Sequence, residues 1–223
     1  MTQKTKPNVT RRRSFVTAVC ALAVAGSMVA TASASNMAFK FNARVWAQGT
    51  GSKGRNLVSF PDFNPYRGPG GLGALCTALN LGPTGQITQF DGSGGIFAYT
   101  CGQTQTFNLL AGKGAMITHS SDTNGILVGS DDPSATYTVN RLGSSPVGTE
   151  LFNVKWHTTC TTPECLCVDC GFSGTATITR FDAQAGQVFT HTCGQVPLWT
   201  LQLGEAVLVL EPNGPKTCNP SHF

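Results

Sequence analysis

The sequence predicts an all-β fold, mainly antiparallel, made of two tandem duplicated β-sandwich- or barrel-like units with one short helix each. Three observations carry that expectation. Apolar residues run mostly with a period of two, an internal duplication spans the chain, and 26 glycines among 223 residues punctuate both copies with turns.

Residues 1–34 read as an export signal and not as part of the fold. Lys4, Lys6, Arg11, Arg12 and Arg13 precede an apolar run from Phe15 to Ala30, and Ala32-Ser33-Ala34 supplies the small residues a signal peptidase needs. Cleavage is expected after Ala34, so that the mature chain starts at Ser35. Arg12-Arg13-Ser14-Phe15-Val16 resembles the twin-arginine signal, with Thr17 where that family has lysine, which leaves the route open between twin-arginine and general secretion. Cys20 follows the bulky Val19, unlike a lipidation site. No stretch of the mature chain reaches the roughly 20 apolar residues of a membrane span. The expected location is the periplasm or the cell exterior.

The signal holds five of the fifteen Lys and Arg residues and no acid, so the mature part keeps ten basic against eleven acidic residues, a net charge of −1. That balance removes the electrostatic basis for a nucleic-acid partner. Charged residues are only 12% of the chain, which suits an extracellular assembly better than a cytosolic enzyme.

The duplication is read residue by residue. Ile87-Thr88-Gln89-Phe90-Asp91 recurs as Ile178-Thr179-Arg180-Phe181-Asp182, and Thr100-Cys101-Gly102-Gln103 recurs as Thr192-Cys193-Gly194-Gln195. Leu75-Cys76 recurs as Leu166-Cys167, and Phe107, Leu109 and Gly112 match Trp199, Leu201 and Gly204. Ile87 and Ile178 are 91 positions apart and Cys101 and Cys193 are 92 apart, so one insertion in a turn accounts for the change. Lys40-Phe41-Asn42 and Thr138-Val139-Asn140 extend the match backward, and Asn124-Gly125 and Asn213-Gly214 extend it forward, giving units at 36–133 and 134–223.

Within the first unit, Met37, Phe39, Phe41, Ala43 and Val45 alternate with polar or small residues, the pattern of a strand with one buried face. Phe152, Val154 and Trp156 alternate with Asn153 and Lys155 in the second, leaving the latter two expected on a wet face. Asn56 to Phe60, Ile96 to Cys101 and Val188 to Cys193 read as further strands. Asn124-Gly125, between Met116-Ile117 and Ile126-Leu127-Val128, reads as a hairpin turn. Leu72, Leu75, Cys76 and Leu79 follow helical spacing, and Thr162-Pro163-Glu164 gives the equivalent helix a cap and a first-turn proline.

Eight cysteines remain after the signal: Cys76, Cys101, Cys160, Cys165, Cys167, Cys170, Cys193 and Cys218. An even number in an oxidising compartment points to disulfides. Cys76 and Cys101 stand on the repeat positions of Cys167 and Cys193, so the expected pairs are Cys76–Cys101 and Cys167–Cys193, each worth about 3 kcal/mol by loop closure. The other four belong to the second unit alone. Cys160, Cys165 and Cys170 form the competing metal-ligand set, but Cys167 is claimed by the repeat and the plant-type iron–sulfur spacing is not met. Gly171 after Cys170 excludes a haem-attachment motif.

No catalytic signature occurs: no Gly-x-Ser-x-Gly, no His-Glu-x-x-His and no phosphate loop. His119, His157, His191 and His222 are scattered, and His191, in the place of Tyr99, reads as packing or surface variation. Asp91-Gly92-Ser93-Gly94 is similar to the aspartic-protease triplet, yet the second copy continues Asp182-Ala183-Gln184-Ala185, so both read as hairpin turns. Asp131-Asp132, near Asp122, reads as an acidic surface turn in preference to a calcium site, since no EF-hand spacing surrounds it. Asn56 to Pro61 and the Leu109 to Gly114 turn resemble modules of secreted bacterial surface proteins, a resemblance over short turns that implies no activity.

The expected function is that of a secreted, disulfide-stabilised structural or self-assembling protein. It acts by association with itself or with another extracellular or cell-surface protein, and needs no cofactor. Uncharged strands such as Ile126-Leu127-Val128 and Val207-Leu208-Val209-Leu210 are the candidate associating edges. Alternatives are a module binding a surface glycan or protein and, third, a hydrolase, which a pocket with two close acids and aromatic walls would favour.

Overall fold

Each half of the chain spends its apolar strands on an open four-stranded antiparallel sheet and closes its ends with a two-stranded ribbon. The computed structural model describes residues 39–90, 95–132, 134–140 and 149–219. The signal with its cleavage point, Cys20, Met37, the Asp91–Gly94 turn, His222 and the residues after Asn219 lie outside these. The first half runs β1 (Phe39–Val45), β2 (Asn56–Val58), α1 (Gly71–Ala78), β3 (Gln86–Phe90), β4 (Ile96–Thr100), β5 (Ala115–Thr118) and β6 (Thr123–Gly129). The second runs β7 (Tyr137–Val139), β8 (Thr149–Phe152), α2 (Pro163–Asp169), β9 (Thr177–Asp182), β10 (Gln187–Thr192), β11 (Val207–Leu210) and β12 (Lys216–Cys218).

The strand orders are β2-β5-β3-β4 and β8-β11-β9-β10, and β1 pairs with β6 as β7 pairs with β12. Position for position, the two halves have one topology. Ile87 lies opposite Tyr99 and Ile117, while Ile178 lies opposite His191 and Val209, and neither isoleucine is exposed to solvent. The architecture is therefore antiparallel β with two short helices and sandwich-like units, and no barrel closes among the described residues.

Each helix is held by the sheet it covers. Leu72, Leu75 and Leu79 of the α1 stripe are fully buried, and Cys76 is bonded to Cys101 at the end of β4. In α2 the Thr162 hydroxyl oxygen accepts from Cys165 N and Pro163 opens the first turn, the local reason the helix starts there. Cys167 is bonded to Cys193, and two further bridges join Cys160 to Cys165 and Cys170 to Cys218.

The halves cross at β2 and β8. Ser59 N donates to Gly204 O (2.9 Å) and Ala206 N to Leu57 O (3.3 Å); in the reciprocal place Asn153 N donates to Gly112 O (3.1 Å) and Gly114 N to Leu151 O (2.8 Å). Single bridges Val58–Glu205 and Lys113–Phe152 complete the exchange. Leu57, Leu151 and Ala206 form a small core at this crossing. Gly114 must be glycine, because a Cβ there would lie 2.3 Å from Ala206 Cβ. Trp156, from the second half, is counted in the core of the first: its ring is 5.2 Å from Phe41, and its Nε1 donates to Ser59 Oγ.

Several local expectations need correction. Asn124-Gly125 is not a turn; both residues lie inside β6, opposite Arg44 and Ala43 of β1. The glycine is required by α1, whose Ala78 carbonyl would come within 2.1 Å of a Cβ at position 125. Asn213-Gly214, by contrast, does sit in a turn, so the two dipeptides are not equivalent. Alternation also fails after β8: Leu151 to Trp156 are all buried, Asn153 and Lys155 included, because the segment is enclosed on both faces by the crossing. Finally, Val207–Leu210 is an interior strand, and Ile126–Val128 is paired with β1 while Ile126 O and Val128 N are bonded to the Tyr66 hydroxyl, so neither is a bare edge.

Candidate functional site

The crossing leaves a groove of about 420 Å³ between the β1–β2 region and the β9 wall. Glu205 lies on it, placed by the Gly204 turn that precedes β11, and Arg180 reaches it from β9. Arg180 Nε meets Glu205 Oε1 at 3.1 Å while Arg180 Nη1 donates to Thr200 O, and Gln202 N donates to the other Glu205 oxygen. Burial pushes the Glu205 carboxyl up to about 7, and the nearby Arg180 charge only partly opposes it. Asp182, on the same wall, adds to the upward push.

On the facing wall, Arg44 lies 3.7 Å over the Trp46 ring and 3.6 Å from Asp122. Trp46 is fixed through its backbone: its N donates to Asn56 Oδ1 (2.8 Å) and its carbonyl accepts from Asn56 Nδ2 (3.1 Å). Asn56 is itself buried at the start of β2 and also donates to Ile117 O. The groove thus stands on a side chain that fastens β1 to the first sheet.

A second groove, of about 560 Å³, occupies the reciprocal place between Leu110–Lys113 and Ala135–Asn140. Lys113 follows Gly112 as Glu205 follows Gly204, but here the ion pair is sunk into the protein. Lys113 Nζ meets Glu150, which is inaccessible to solvent, and donates to Thr138 O at 2.7 Å. Asn140 N donates to the second Glu150 oxygen. A pair whose carboxylate is inaccessible to solvent locks two segments together.

A third feature concerns strand edges. In each sheet one edge, β2 or β8, is engaged by the other half, whereas the outer sides of β4 and β10 pair with no strand among the described residues. Neither edge strand contains Lys, Arg, Asp or Glu, and Ile96, Ala98, Val188 and Thr190 are exposed on them.

The sequence-derived site residues fall as follows. The metal candidates Cys160, Cys165 and Cys170 have their sulfurs engaged in disulfides, so they are not a free thiolate set. Two clusters with ligand atoms within 4.8 Å, Cys160–Cys165–Asp169 and Glu164–Cys167–His191, contain the same bonded sulfurs. Asp131 is not a surface residue. It is buried, accepts from His157 N, and has its carboxyl pushed up by burial, with Asp62 adding to the rise. Asp132 accepts from Ser134, which holds its carboxyl low, while Asp122 belongs to the Arg44–Ala47 corner. Asp182 accepts from Gln184 N and Ala185 N at the β9–β10 hairpin. His119 accepts from Gly82 N at Nε2 and faces Ser121 O through Nδ1, and His157 packs on Phe39. His191 is buried against Glu164 at 2.8 Å, tying β10 to α2.

Glu205, Arg180 and the Lys113–Glu150 pair were not singled out from the sequence. The only signal for them was the alignment of Lys113 with Glu205, a charge reversal at one repeat position. No helix among the described residues is long and apolar enough to cross a membrane. No family, curated protein or solved structure matches this chain.

Proposed function

We propose that the protein is an exported, disulfide-stabilised structural subunit that works by association, with itself or with another extracellular protein, through strand addition on β4 and β10. The observation that carries this reading is the pair of bare outer edges. Proteins that avoid edge-to-edge pairing place charge, proline or a bulge on such strands, and β4 and β10 have neither a charged residue nor a proline. The shared topology of the halves makes the molecule bivalent, with one edge per half, which suits extended assemblies. Four disulfides support service in an oxidising exterior. Duplication of an ancestral unit accounts for the matched orders.

The test compares the chain from Ser35 with an Ala98→Lys/Thr190→Lys variant by analytical ultracentrifugation and electron microscopy. The parent is expected to form oligomers or filaments and the variant to stay monomeric. A parent that remains a monodisperse monomer at high concentration, and binds no cell surface, overturns the proposal.

A further inference from the structure

The first groove differs from its counterpart in ways that point to a ligand. Its charges are of both signs and paired among themselves, Arg180 with Glu205 and Arg44 with Asp122, with Asp182 on the same wall. Such a site has no net field to attract an ion. Its polar groups are instead planar ones, and the side-chain amides of the exposed Gln184 and Gln202 have no protein partner among the described residues. Among them stand the half-buried rings of Trp46, which carries Arg44 on one face, and Phe181, which has Arg55 at 5.8 Å, with Leu203, 63% exposed, at the rim.

We infer that the groove between Trp46 and the Arg180–Glu205 pair is a binding site for a neutral oligosaccharide. A sugar chain carries hydroxyls that meet amide, carboxylate and guanidinium groups from its edges, and C–H faces that lie on aromatic rings. A peptide strand is the poorer fit, because main-chain recognition needs an unpaired edge. Of the strands around the groove, β9 lies between β10 and β11, and β2 has β5 on one side and the Val58–Glu205 bridge on the other, while β1 is paired with β6 on one side and, just past its end, Trp46 N and O are both taken by Asn56. Glu205 lines the groove with its two oxygens bonded to Arg180 Nε and Gln202 N, and so holds the Arg180 guanidinium and the Gln202 turn in place beside the proposed ligand. In the second groove the corresponding residue is a cation, Lys113, already held by the buried Glu150 and by Thr138 O, so no carboxyl stands in that place.

The inference is independent of strand association, and its test uses the Ala98→Lys/Thr190→Lys chain so that failure of one does not decide the other. Cellohexaose, maltohexaose and chitohexaose serve as probes, read by titration calorimetry and tryptophan fluorescence. At least one is expected to saturate at one site per chain. Trp46→Ala should weaken it by about tenfold or more, and Gln202→Ala, at an exposed position that leaves the fold intact, by a few-fold. Appearance of shorter sugars on incubation, lost in Glu205→Gln, would also support the site and would add chemistry to it. No binding of any of the three probes, or binding unchanged in both Trp46→Ala and Gln202→Ala, overturns the inference.

Discussion

Asn153 of the second half completes both backbone hydrogen bonds of Phe60 in the first. Phe60 N donates to Asn153 Oδ1 at 2.5 Å, and Asn153 Nδ2 donates to the Phe60 carbonyl at 2.6 Å. One amide side chain thus does the work of a neighbouring strand residue, at a position inaccessible to solvent. Asn153→Ala leaves one buried donor and one buried acceptor open, at about 1–3 kcal/mol each. The expected loss is therefore about 2–6 kcal/mol in denaturant-induced unfolding, and Asn153→Asp, which keeps the acceptor and loses the donor, should also be destabilised. A loss below about 1 kcal/mol for the alanine variant would contradict this account.

Gly125→Ala tests the approach of α1 to β6. The new methyl would meet the Ala78 carbonyl at 2.1 Å and Leu79 Cα at 2.4 Å, both backbone atoms that cannot swing aside. Destabilisation of about 2 kcal/mol or more is expected, from overpacking. Gly174→Ala, with nothing within 4 Å and no positive φ, is the control and should be near neutral.

The four bridges should rank by the loop they close. Separations of 48, 26, 25 and 5 residues belong to Cys170–Cys218, Cys167–Cys193, Cys76–Cys101 and Cys160–Cys165. Chain entropy gives roughly 4, 3.5, 3.5 and 2 kcal/mol in that order. Paired serine variants compared by thermal unfolding should therefore find Cys160/Cys165 the mildest loss. Non-reducing peptide mapping checks the pairing itself, and a peptide joining Cys76 to any cysteine other than Cys101 would refute it.

Glu205 makes stability depend on pH in a stated direction. Its carboxyl titrates near 7 in the folded chain, above the ordinary 4.5, so between these values the folded state holds a proton that the unfolded state has released. Its contribution is full below 4.5 and is lost as the pH rises through 7. Asp131 is shifted the same way by burial, and Asp132 the opposite way by its Ser134 bonds. The melting temperature should fall from about pH 5 to about pH 8, and Glu205→Gln should flatten that fall. An equal fall in the variant would place its cause elsewhere.

Legibility of the chain varied with the range of the interaction. The helix stripe of Leu72, Leu75 and Leu79, the Thr162 cap and the alternating Phe39–Val45 strand depend on neighbours a few residues away, and period and cap residues reveal them. The paired cysteines became readable because the matching sequence blocks put two copies of one long-range contact on display. Asn124-Gly125 misled because the glycine answers to Ala78, nearly fifty positions earlier, and not to a turn. Lys155 misled for a similar reason. A lysine in an alternating segment reads as solvated, yet its Nζ is enclosed by Asp132 O, Ala135 O and Asn219 Oδ1, partners that no local pattern discloses. The groove pair Glu205–Arg180 was hidden in the same way, by contact between positions that the alignment treats as ordinary surface.

The reciprocal crossing at β2 and β8 also orders events in time. Leu57 and Ser59 complete the crossing only with Ala206 and Gly204, partners that the ribosome adds about 150 positions later. During synthesis the amino-terminal half is therefore expected to keep an open flank until residue 206 has emerged. A chain stopped before residue 204 should behave as a partly folded, protease-sensitive species and not as a finished first half.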